Sequence, residues 1–309
     1  MPHFFYVIIS TMKNKISANI ALFMTALIWG LGFVSQRAGM EHIGPFTFNA
    51  ARSFLGALSL VPVIFWVKFS KPDLRSKARK FYQRINLLKA GCLCGLVMFL
   101  GMGIQQYSIQ YITAGKSGFI SALYIIFVPL ISLCLGAKIA KRVIFSVIMA
   151  VFGLYLLCYQ SGGGVNIYDF LTLLGAFFYG LHIIVVDYFA HRVHPVKMSC
   201  LQFFIVGVLS LIFVFLFKEN PTAQSLIECK IPLIYSGIIT CGIAYTLQIY
   251  GQKYTLPILA TLILCLESVF AVVGGVLILG EVMSTREILG CVLMISAVIL
   301  ANTKMEQRF

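Results

Sequence analysis

Ten apolar stretches, each bounded by charge, glycine or proline, set the rhythm of this chain: 17–38, 45–68, 87–111, 113–135, 142–159, 167–190, 195–217, 231–252, 257–279 and 286–303. They run from 18 to 25 residues. At about 1.5 Å of rise per residue, each is long enough to cross the ~30 Å hydrocarbon core of a bilayer as a helix. The alternating ten-residue segments that a membrane barrel requires are not seen. The pattern predicts an all-α polytopic membrane protein with ten transmembrane helices, numbered here 1 to 10 in chain order.

Composition agrees with this. Of the 309 residues, 60% are hydrophobic and 11% charged, whereas soluble domains carry about 25% charged residues. The formal charge of +14 raises nucleic acid as a partner, but the basic residues gather in particular loops between apolar spans, so no nucleic acid is expected. With the N-terminus in the cytoplasm, 18 Lys and Arg fall in inside segments and four in outside ones, while Arg52 and Lys116 lie within spans. That bias orients the chain with both termini cytoplasmic. Eight of the nine cysteines lie in or beside apolar spans, with no CxxC, which indicates neither a disulfide framework nor a zinc site. His191 and His194 make an HxxH beside Arg192 with no third ligand nearby, and read as a solvated loop. No cofactor is expected.

The opening MPHFFYVIIST is apolar, too short to span and without a basic n-region, so it is not a secretory signal. Met12 begins a hydrophilic MKNK. The expectation is that translation starts there, with residues 1–11 an upstream extension.

Fixed-offset comparison exposes an internal duplication. ALIWGLGFV (26–34) faces AFFYGLHII (176–184) at an offset of 150, as Pro45 faces Pro195. Gln106 faces Gln248 and Thr113 faces Thr255 at an offset of 142. Units at 17–159 and 167–303 each hold five helices, an odd number, so the second enters the membrane from the opposite side. Inverted repeats are the construction of many secondary transporters.

WGLGFVSQ in helix 1, PFTFNAARSFLGALSL in helix 2, TAGKSGFISALYIIFVPL in helix 4 and LESVFAVVGGVLILGE in helix 9 resemble the EamA-type drug/metabolite transporter superfamily. The resemblance spans both repeats. It implies a ten-helix transporter, often an exporter of amino acids or other small metabolites, with a central cavity between the halves and a bacterial plasma membrane as its home. It also implies a Trp29–Gly30 pair in helix 1, Arg52 in helix 2, Glu267 in helix 9, and Gly280–Glu281 ending helix 9. Two positions depart from it. Ser268 follows Glu267 where the family often has proline, and Gly136–Ala137 is the first-repeat counterpart of Gly280–Glu281.

Polar residues within the spans are the candidate chemistry. Glu267 is the one acid of ten set deep in a span, about 15 Å along helix 9 from Pro257. A carboxylate at such depth costs on the order of 2.5 to 3.5 kcal/mol to insert, and so faces a partner, a cavity or water. Arg52 is its expected counter-charge, either as a fixed ion pair or as part of the transport site. Lys116 reads equally as snorkelling to the interface or as a contact for a substrate carboxylate. AGKS at 114–117 is not a phosphate loop, because the required glycine is Gln110.

Gln106 and Gln248 occupy matching positions and suit either a shared substrate site or interhelical hydrogen bonds. Trp29, Tyr107 and Tyr245 are candidate aromatic walls. His182, where the first repeat has Gly32, is a second titratable group. The GxxxG at 91–95 reads as a close helix contact.

The expected function is secondary active transport of a small metabolite by alternating access, with protons as a candidate coupling ion. Export of multiple drugs or organic cations is the alternative. An intramembrane enzyme would need converging nucleophile, base or metal ligands, and the deep polar set supplies none. The chain works in lipid as a monomer or homodimer.

Overall fold

A computed structural model describes residues 2–70, 77–112, 114–158, 166–279 and 284–302. Regular structure among them is entirely helical. In chain order the elements are α1 (Pro2–Gly39), α2 (Pro45–Ser70), α3 (Lys77–Ser108), α4 (Ala114–Ala122), α5 (Tyr124–Cys134), α6 (Lys141–Cys158), α7 (Ile167–Ala190) and α8 (Pro195–Leu216). There follow α9 (Ala223–Glu228), α10 (Lys230–Ile234), a π-helical stretch (Tyr235–Ala244), α11 (Tyr245–Gln252), α12 (Pro257–Leu264), α13 (Glu267–Leu279) and α14 (Thr285–Asn302).

Among the described residues, eight helices are long and apolar enough to cross a membrane. The segments expected as helices 5 and 9 are helical but fall outside that set: α6 holds the first, and the second is divided into α12 and α13. α1 begins at Pro2, where the apolar pattern predicts a span from residue 17. The loop ahead of helix 8 carries the short α9, which the apolar pattern could not announce. Thr222 opens it with a capping box, its hydroxyl accepting from the Ser225 amide, which satisfies one of the amides every helix start leaves over.

Two interruptions position the site. Helix 4 breaks at Leu123 through tight turns, the Leu123 amide donating to Ile120 O and the Ile126 amide to Leu123 O. Helix 9 breaks at Cys265 and Leu266 in the same way, with Leu266 N–H on Ile263 O and Ser268 N–H on Cys265 O. The second break forms without the proline that Ser268 replaces. The two breaks meet, the Cys265 thiol lying 3.5 Å from the carbonyl of Ala122.

Packing brings helices of the first half against those of the second. α3 lies on α7 and α8, α2 on α8 and the π-helical stretch, α1 on α11 and α13, and α6 on α14. One contact recurs almost atom for atom. A Cβ at Gly95 would lie 2.8 Å from Ile205 Cβ and 3.0 Å from the carbonyl of Gln202; one at Gly237 would lie 2.7 Å from Leu55 Cβ and 3.0 Å from the carbonyl of Arg52. Gly95 and Gly237 are 142 apart, while Ile205 and Leu55, like Gln202 and Arg52, are 150 apart. These are the offsets of the sequence repeat. In lipid, where no hydrophobic force draws helices together, such close backbone approach supplies the dispersion contact that does. The GxxxG at 91–95 is used for this, against Leu201 and Ile205 of α8.

Candidate functional site

A single cavity gathers side chains from α1, α2, α3, α4, α5, α7, the π-helical stretch, α11 and α13. Six of the nine candidate residues line it: Trp29, Arg52, His182, Tyr245, Gln248 and Glu267.

Glu267 opens α13 directly after the break and is 3% exposed. Its partner is Tyr124, the first residue after the break in helix 4, whose hydroxyl donates to Oε1 across 3.1 Å. Both groups are therefore placed by the ends of interrupted helices. Arg52 is 2% exposed. Its guanidinium carbon sits 5.3 Å from the centre of the Phe48 ring, one turn back along α2, and its Nε has no hydrogen-bond partner.

No ion pair within 4 Å joins Arg52 to Glu267 among the described residues, which corrects the pairing expected from depth alone. The carboxylate is held at the junction of the two breaks while the guanidinium leans over Phe48. The carboxyl and the guanidinium thus share one cavity without an ion pair between them.

The walls differ in kind. On α3, α4 and α7 the polar groups satisfy one another: the Tyr179 hydroxyl donates to Gln105 Oε1 at 2.7 Å, and Gln105 Nε2 donates to Ser121 Oγ at 2.7 Å. On α1, α2 and helix 8 they do not. Trp29 Nε1, Gln36 Oε1, Arg52 Nε, Thr240 Oγ1 and Gln248 Oε1 are buried with no protein partner. Fifteen buried side-chain atoms lack a protein partner among the described residues, and these five share one cavity. Trp29 and Tyr245 add an aromatic corner, their ring centres 4.6 Å apart. His182 is tied to Gln202, Nε2 to Oε1, at 3.2 Å.

Three candidates lie elsewhere. Gln106 donates, at 3.4 Å, to the backbone carbonyl of Gln36, and its neighbour Gln105 lines the cavity instead. Adjacent helical residues point about 100° apart, and the π-helical stretch ahead of Gln248 alters which residue of helix 8 faces inward. A fixed offset therefore finds the level of the site but not its face. Lys116 Nζ is 2.7 Å from Asp169 Oδ2. Asp169 also accepts from the Asn166 amide, completing the capping box that starts α7. Tyr107 belongs to a separate aromatic group with Tyr111, Tyr168 and Phe217. Gly280 and Glu281 lie outside the described residues.

Gln36, Gln105, Tyr124, Tyr179 and Thr240 line the cavity and were missed. Signals existed for two of them. Tyr179 is the repeat counterpart of Trp29, and Gln36 ends the WGLGFVSQ segment. Nothing in the apolar pattern distinguishes Thr240.

Comparison with known proteins places the chain. The family described as "EamA-like transporter family" matches residues 16–159 and 166–303. An uncharacterized transporter of Archaeoglobus fulgidus is 29% identical over 293 residues, covering 94% of this chain and 87% of that protein. The uncharacterized transporter YoaV of Bacillus subtilis is 24% identical over 290 residues, covering 92% and 96%. A solved crystal structure shares the fold at a TM-score of 0.72 and 18% identity, over 93% of this chain and 97% of that one. The chain is a multi-pass membrane protein of transporter type and belongs to the EamA-like transporter family.

Proposed function

We propose that this protein is a secondary transporter exporting a small amphipathic metabolite, such as an amino acid or a related compound, through the central cavity by alternating access. The observation that carries the reading is the presence of Arg52 and Glu267, both buried, in one cavity with no ion pair between them. Lone buried charges are costly. A ligand that presents a cation to Glu267 and an anion to Arg52 offsets both costs at once. The Trp29–Tyr245 corner suits its apolar part, and the unpaired polar atoms of α1, α2 and helix 8 supply its hydrogen bonds.

Two inverted five-helix repeats provide the motion in this reading. The recurring Gly95 and Gly237 contacts and the helix breaks 142 residues apart support it. Rocking one helix set against the other opens the same cavity to either side. Both termini face the cytoplasm of a plasma membrane, and Glu267 exchanges a proton as the coupling ion. Efflux of organic cations is the second reading, favoured by Glu267 beside the aromatic corner; Arg52 in the same cavity weighs against it.

The test is flux in proteoliposomes under an imposed pH gradient, with a metabolite panel as cargo. Zwitterions are expected to move more readily than cations, and Glu267→Gln to remove the dependence on the gradient. A gradient dependence that survived in Glu267→Gln would end the coupling role. Single cysteines at Glu41 and His191 in a cysteine-free background test the topology. Labelling of both from the same side would refute the inversion.

A further inference from the structure

Two matched positions set the halves apart. In the second, His182 of α7 is hydrogen-bonded to Gln202 of α8. At an offset of 150 the first half has Gly32 in α1 and Arg52 in α2. The imidazole has been deleted and the amide replaced by a guanidinium. What remains beside Gly32 is a small niche. A Cβ there would be 3.6 Å from Thr240 Oγ1, 3.9 Å from Tyr235 Cε1 and 4.0 Å from Gln36 Nε2, ordinary contact distances, so the niche is bounded by two polar groups and the edge of one ring. Gln36 is 7% exposed and Thr240 6%. Thr240 Oγ1 and Arg52 Nε have no partner, and all three residues line the central cavity. Thr240 also sits within the π-helical stretch, a distortion found frequently at functional sites.

We propose that the niche beside Gly32 is an oxyanion subsite, in which a carboxylate of the transported compound takes the place that the His182 ring fills in the other half. The polar groups that border it, the Gln36 amide nitrogen and the Thr240 hydroxyl, can both donate, and the Arg52 guanidinium lines the same cavity. A planar anion accepts from all three, whereas an ammonium would meet their positive ends. Glu267 is a separate pole, held at Tyr124. The inference rests on the cavity being the transport site, and it adds which residues read the anionic end and why residue 32 is a glycine.

Trp29 lines the cavity and Trp66 is the only other tryptophan, with its side chain exposed. A Trp66→Phe variant thus makes Trp29 emission a local reporter in purified protein. The probes are isovalerate, isovaleramide and isoamylamine, which share one carbon skeleton. Isovalerate is expected to change the emission saturably, and isovaleramide to do so only at far higher concentration. Thr240→Val is expected to weaken isovalerate about tenfold or more, the loss of one hydrogen bond to a charged group. Gly32→Leu, which fills the niche, is expected to abolish the response, and Gly32→Ala to leave most of it.

Equal isovalerate binding in Thr240→Val and Gly32→Leu would overturn the subsite, as would equal responses to acid and amide. A saturable response to isoamylamine alone would overturn the subsite while leaving the cavity reading intact. Silence toward all three probes in folded protein would overturn the subsite and count against the cavity as well.

Discussion

The hydroxyl of Tyr124 meets the carboxylate of Glu267 at 3.1 Å, and each residue is the first after a break in its own helix. The bond ties the two interruptions together at the cavity wall. A hydrogen bond to a charged group is worth about 1.5 to 3 kcal/mol, which is ample to hold one carboxylate rotamer. Tyr124→Phe removes the donor and little volume. Flux in proteoliposomes is expected to fall about tenfold with the pH-gradient dependence retained, because the carboxyl proposed to exchange the proton remains. Unchanged flux would show that the bond does not position Glu267 for transport.

Arg52 sets function against stability. Its charge is buried with Nε unpaired and has no carboxylate within ion-pairing distance among the described residues. Exchanging such a group for an apolar one of similar length is often neutral or stabilising. Arg52→Met is therefore expected to leave the thermal midpoint in detergent unchanged or raised by a few degrees while transport of anionic and zwitterionic compounds is lost. Unfolding of the variant would mean that the guanidinium holds α2 in place.

Asp169 is predicted to matter for folding and not for cargo. Its carboxylate closes the capping box that starts α7 and pairs with Lys116. Cap loss costs about 0.5 to 2 kcal/mol, and a partly exposed pair adds at most about 1 kcal/mol. Asp169→Ala is expected to lower the thermal midpoint measurably, with half-saturation for transport unaltered. A selective change in cargo affinity would restore Lys116 to the site.

The short loop between α7 and α8 carries a pH response. Burial holds the His194 pKa below its ordinary 6.5, and the Lys197 and Lys253 charges lower it further. Between that lowered value and 6.5 the unfolded chain binds the proton more readily than the folded one. Stability therefore rises with pH through this window and is lost as pH falls into it. Thermal midpoints measured from pH 7 down to pH 5 are expected to fall less in His194→Asn than in the parent. Identical slopes would remove His194 from the account.

Eight of the ten expected spans were legible because a bilayer imposes one rule, a long apolar run, on a crossing segment. The duplication was legible at Gly30 and Gly180 or Pro45 and Pro195, where backbone geometry restricts the residue. Facing was harder to read. Gln105 and Gln106 are equally polar neighbours, and only the winding of α3 decides between them. The π-helical stretch and the break at Cys265 carry no strong local signal, since Ser268 is not a breaker in the way proline is. Lys116 and Asp169, 53 apart in sequence, could be paired only once α4 and α7 were seen together.

The meeting of the two interrupted helices restricts what can surround it. Helix ends leave amide hydrogens and carbonyl oxygens over, and such backbone at membrane depth tolerates protein or water but not acyl chains. Whatever movement opens the cavity, the junction of Ala122 with Cys265 must stay shielded from lipid throughout. On that side of the cavity, a wall of protein or water in place of acyl chains is a condition that any transport cycle has to keep.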